Sequence, residues 1–177
     1  DWSSDVCSSD LSSSATARVR FFTPTSELPL AGHPALATWH ALDELGHVEG
    51  TGEHRVVTQE LNVGVLPVEL RPGPRIFMTQ KPPEFLHEVD AIPLADALGL
   101  PLDRLDNRHP PTVVSTGTPQ LMLLLRDPAD LARLQPDQHR LAALARTDDY
   151  AGLHVFALGG ASPQRSAQAR QIGRAHV

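Results

Sequence analysis

The chain has 177 residues, with 15 Lys and Arg against 21 Asp and Glu, nine His and a single Cys. A net charge of −6 without a basic stripe argues against nucleic acid as a partner, and one cysteine cannot build a disulfide framework. No apolar run reaches membrane-spanning length and no signal peptide is readable. The length allows one ordinary domain or two small ones, and the expectation is a cytoplasmic protein with no membrane partner.

The two ends stand apart. One DNA sequence that would encode Asp1 to Leu11 has a reverse complement that, read in another frame, encodes Ile172 to Val177, with its first two bases completing a Gln171 codon. Ends related in this way resemble a sequencing adapter translated on both sides of an insert. Residues 1–11 and 171–177 are therefore set aside, as a cloning scar is. Removing Asp1, Asp5, Asp10 and Arg174 leaves 14 bases and 18 acids, and Cys7 goes with them. No Cys nucleophile or Cys-based metal site then remains.

Ala17 to Thr23 alternates β-forming and polar residues and is expected to be a strand. Pro24 to Leu30 follows as a proline-bounded turn. From Pro34 apolar residues recur at three- and four-residue steps (Ala35, Leu36, Trp39, Leu42, Leu45), which predicts a helix with Pro34 at its first position and Gly46 at its end. The runs His54 to Gln59, Val63 to Leu70 and Arg75 to Gln80 are punctuated by Asn62-Gly64 and Arg71-Pro-Gly-Pro74, the pattern of an antiparallel meander. Lys81-Pro82-Pro83 is the best linker, dividing a unit over 12–83 from one over 84–170. Beyond it a helix is expected over Pro93 to Leu100, and strands over Pro111 to Ser115 and Gln120 to Arg126. A further helix opens at Asp127-Pro128, another spans Pro136 to Arg146, and Leu153 to Leu158 forms a buried strand. Strands with inserted helices and no regular alternation predict an α+β fold.

The run from Arg20 to Leu42 carries most of the chemistry. It takes a strand through a turn into Ala-Gly-His-Pro and then a helix, which aims backbone N–H groups and one imidazole at a single point. His33 could donate a hydrogen bond or relay a proton there, since the positive end of a helix disfavours imidazolium. It could equally cap its own helix. Gly32 lets a ligand approach the backbone. Glu27 is either a general base or the acceptor that orients the turn through backbone hydrogen bonds, and a fixed turn needs such an acceptor. Ser115-Thr116-Gly117 could offer a hydroxyl and an N–H to a carboxylate, although an ordinary turn between strands is the simpler reading. His40 and His47 repeat at seven-residue steps, but seven helical residues span about 10 Å of axis, too far for one ion. No metal is expected.

At RFFTPTSELPLAGHP the chain resembles the PhzF-like phenazine-biosynthesis family. Phe22, Pro24, Glu27, Pro29, Ala31, Gly32, His33 and Pro34 match its motif, with Leu30 in place of Phe. Met78, Gln80 and Pro82, the Ser115 to Pro119 turn and the strand ending at Arg126-Asp127 extend the likeness over nearly all of Ser12 to Leu158. The resemblance implies a diaminopimelate-epimerase-like fold, truncated here at both ends. Two similar lobes would each wrap a curved, mostly antiparallel sheet around a helix, with the active site in the cleft between them. It implies a cofactor-independent isomerase that shuttles a proton on a small carboxylated metabolite, and a homodimer is the expectation for a full-length parent. His33 would be catalytic, and Gly32, His33, Pro34 and Gly117 would bind substrate. The family's acid/base glutamate falls near Ser4, inside the segment set aside, and the second-lobe motif lies beyond the insert. The fragment alone is therefore expected to be inactive. The alternatives are a non-catalytic binding member of the fold and a Cys-dependent epimerase.

Overall fold

The computed structural model describes residues 6–10, 12–23, 27–50, 52–73, 75–160 and 165–173. Pro24, Pro74, Ser4 and the outermost residues of both ends lie outside them. The chain forms two compact units, Asp1–Lys81 and Pro82–Val177. Both are α+β. No helix among the described residues is long and apolar enough to cross a membrane.

In the first unit β1 (Val6–Asp10), β2 (Ala17–Phe22), β3 (Glu27–Leu28), α1 (Gly32–Glu44), β4 (Arg55–Leu61), β5 (Gly64–Arg71) and β6 (Arg75–Met78) follow in order. The sheet runs β1-β2-β4-β5-β6, with β3 folded back on β2. The expected meander is present: β4 to β6 pair antiparallel, with Leu61 opposite Gly64 at the first turn and Arg71 opposite Arg75 at the second. β2 and β4 are parallel, so the chain between them must cross over, and α1 is that crossover. Alternation decides which face of β2 is covered: Val19 and Phe21 are buried, Arg18, Arg20 and Phe22 are not.

α1 starts at Gly32, two residues before the expected position, so Pro34 is the third helical residue. A proline is tolerated there because no N–H in the first turn has an intrahelical acceptor. Ala35 and Trp39 are buried, but Leu45, expected on the same apolar stripe, is 70 % exposed because the helix has ended. His47 N–H donates to Leu42 O at 2.9 Å and Gly46 N–H to Asp43 O at 3.0 Å, with Gly46 at φ 73°. This Schellman closure needs a left-handed residue, which explains the glycine.

In the second unit β7 (Glu84–Glu88), α2 (Ala91–Leu98), β8 (Thr112–Ser115), β9 (Pro119–Leu125), α3 (Gln138–Thr147), β10 (Gly152–Leu158) and β11 (Ala167–Gly173) build a sheet ordered β11-β10-β9-β8-β7. The segment opened by Asp127-Pro128 is a 3₁₀ turn, with Asp127 capping Ala129 N–H as expected of an N-cap. Leu94, Leu98, Val113, Leu121, Leu123, Val155 and Ala157 form the core between one sheet face and the helices. Two strands of this unit, β7 and β11, were not expected from sequence, nor were β1 and the short β3 in the first. The end residues set aside as foreign also take part: Val6–Asp10 pairs with β2, and Ile172 closes β11 and is buried. Strand pairing is a backbone interaction, so it asks little of the residues that supply it.

Candidate active site at the start of the first helix

Phe22 ends β2, and Glu27 returns opposite it as β3, with Leu28 opposite Phe21. The Glu27 carboxylate accepts from Arg20 Nε and Nη2, both at 2.9 Å, and from Asn62 Nδ2 at 3.0 Å. The guanidinium of Arg20 also lies 4.7 Å from the Phe22 ring centroid. Charge-assisted, two-pronged bonds of this kind fix direction as well as energy. The turn acceptor is thus held by side-chain donors, where backbone donors were expected.

This network bears on the two roles open to Glu27. The Arg20 hydrogen bonds outweigh partial burial, and with Asn62 they lower the carboxyl pKa from 4.5 to about 2. A general base works best with a pKa near the operating pH. A carboxyl held this low is charged at neutral pH and poorly matched to accepting a proton there.

Beyond Glu27, Leu30 inserts into the core with Val19, Phe21 and Ala35. Ala31 is extended (φ −139°, ψ 127°) and serves as N-cap without a side-chain cap, and Ala35 N–H donates to Ala31 O at 3.3 Å. The N–H groups of Gly32 and His33 have no intrahelical acceptor, and Pro34 has no N–H at all. The His33 side chain is exposed. A Cβ built on Gly32 would meet no atom within 4 Å. The imidazole and two amides therefore share an accessible helix start, where the dipole favours an anion.

The sequence candidates separate accordingly. Gly32, His33 and Pro34 lie together, and Glu27 anchors the segment leading to them. Gly117 belongs to the second unit, in the turn between β8 and β9, at φ 142°. Its N–H donates to Ser115 Oγ at 3.1 Å, so the hydroxyl and amide expected to face a carboxylate bond to each other. His40 and His47 are exposed. Arg20 and Asn62 were not singled out from sequence. The only signal for Arg20 was its place on the polar face of a strand two residues from Phe22, and Asn62 registered merely as a turn residue.

Comparison with known proteins points in one direction. The family model described as phenazine biosynthesis-like protein matches residues 6–173. An uncharacterized isomerase of Clostridium acetobutylicum is 32% identical over 148 residues, which is 80% of this chain and 48% of that protein. The trans-2,3-dihydro-3-hydroxyanthranilate isomerase of Pseudomonas aeruginosa is 32% identical over 149 residues, 82% of this chain and 48% of that protein. A Bacillus anthracis protein of the PhzF family superimposes with a TM-score of 0.72 at 26% identity, covering 92% of this chain and 55% of that one. The chain thus spans about half the length of the curated relatives it matches.

Proposed function

The chain belongs to the phenazine biosynthesis-like family, and from that premise we propose that it carries one half of a proton-shuttling isomerase acting on a small carboxylated metabolite. The Gly32 and His33 N–H groups hold an anionic oxygen of the substrate, and the His33 ring polarises the substrate or passes the proton. The second acid/base group belongs to the part of the longer relatives that this chain does not match. The chain alone binds without turning over.

One observation carries this reading. Glycine in the middle of a helix costs about 0.5–1 kcal/mol relative to alanine, and at the first position, where Gly32 stands, it still brings the entropy cost of a freer backbone. Gly32 has neither a left-handed φ nor a neighbour that a methyl would strike. Nothing among the described residues asks for glycine there, so the open space is best explained by a ligand that approaches the backbone closely.

The probe is 3-hydroxyanthranilate, an aromatic carboxylate related to the substrate named for the Pseudomonas relative. Titrated into the chain, it should shift the Gly32 and His33 amide resonances. Gly32→Ala should weaken binding by about tenfold or more while leaving the thermal midpoint unchanged or slightly raised. In a full-length enzyme carrying this segment, His33→Ala should cut turnover of trans-2,3-dihydro-3-hydroxyanthranilate by about 10²–10⁴. Full activity in that variant removes His33 from the chemistry, and undiminished binding by Gly32→Ala removes the anion site.

A further inference from the structure

α1 lacks the usual means of fixing its own start. Its N-cap is an alanine with no side-chain bond, and no acidic residue lies in its first turn. A side-chain cap normally contributes about 1 kcal/mol and sets the entry geometry. Here the entry geometry depends on the segment just before the helix. That segment is held at one end by the Arg20 fork and Asn62 on Glu27, and near the other by the buried Leu30. The three side chains come from β2, β3 and the β4–β5 turn, so they join the helix entry to the sheet at two places.

We propose that Arg20, Glu27 and Asn62 are positioning residues: their network fixes the Glu27–Ala31 segment and thereby sets where the Gly32 and His33 amides and the His33 ring stand. This rests on the anion-binding role given to those amides above. A lone exposed ion pair contributes little. The fork differs because its two parallel bonds restrict rotation of the carboxylate, and the third donor approaches from a separate strand pair. Lysine offers charge without the fork, so Arg20→Lys tests geometry apart from charge.

The experiment compares wild type with Arg20→Lys, Glu27→Gln and Asn62→Ala by amide hydrogen exchange and by 3-hydroxyanthranilate titration, all on this chain. Exchange of the Leu28 to Ala35 amides should accelerate about tenfold beyond the rise of the β5 amides in Arg20→Lys and Glu27→Gln, since β5 reports only the loss of global stability. Probe binding should weaken in parallel. Unchanged exchange at Leu28 to Ala35, or an equal rise throughout the first unit, overturns the proposal. So does looser exchange with undiminished probe binding. If wild type itself does not respond to the probe, the functional reading falls, and a clamp that still slows exchange is then structural only.

Discussion

Among the described residues four carboxylates have pKa values below their ordinary ones, each for a nameable reason. Arg20 and Asn62 hold Glu27 at about 2, Ser12 and Ser14 lower Glu60, and Arg71 with His54 lowers Glu69. In the second unit Asp106 accepts from the Arg108 guanidinium and its backbone N–H, which pushes it far below 3.8. A carboxyl with a lower pKa folded than unfolded binds fewer protons when folded. Its stabilisation is complete above the unfolded value and disappears as pH falls through the folded one. For Glu27 that window runs from 4.5 down to about 2. Glu27→Gln should therefore lower the melting temperature of the first unit at neutral pH, and the gap from wild type should close as pH falls across that window. Melts followed at several pH values decide the matter. A gap that stays constant means the loss is one of packing and owes nothing to ionisation.

At the scale of elements, α1 is tied to β4 by one buried polar bond. Trp39 Nε1 donates to Gln59 Oε1 at 3.0 Å, and both side chains are essentially sealed from solvent. Indole only donates, so the amide oxygen must face it, and Gln59 Nε2 then has no partner. Trp39→Phe would leave the oxygen unpaired as well and open a void. An orphaned buried acceptor costs about 1–3 kcal/mol and the void adds to it, so the midpoint should drop by on the order of 10 °C. A drop of only a degree or two in a thermal melt means water has taken over the bond. The helix stripe that buries Trp39 was legible because its period is local, and so were the strands of the meander and the apolar β8, β9 and β10. β7 and β11 were not. All five β7 residues are exposed, and β11 buries only Ile172, so neither shows a two-residue period. An edge strand is recruited by its neighbour's backbone, which leaves little trace in side chains. The site was half legible for the same reason. Gly32-His33-Pro34 is contiguous, whereas Asn62 reaches Glu27 from 35 residues away through pairings that no spacing encodes.

At the scale of the whole molecule, β10 poses a question of coverage. Leu153, Val155 and Ala157 face the core, while His154, Phe156 and Leu158 face the other way, into a recess of about 850 Å³ that Phe85, Val114 and Met122 also line. A strand apolar on both faces suits a sheet covered on both sides. α2 and α3 cover one side. On the other, Phe85 is 75% and Leu158 62% exposed, and large apolar patches left open to water in this way mark association surfaces on folded proteins in general. The isolated chain should therefore bind a hydrophobic dye such as anilinonaphthalene sulfonate and sediment as more than a monomer at high concentration. The double variant Phe85→Glu, Leu158→Glu should reduce both effects severalfold, and its melting temperature should stay within about 2 °C because neither side chain is packed. A chain that sediments as a monomer and leaves the dye dark would mean that the recess is closed in solution, and that the second sheet face finds its cover within the 177 residues.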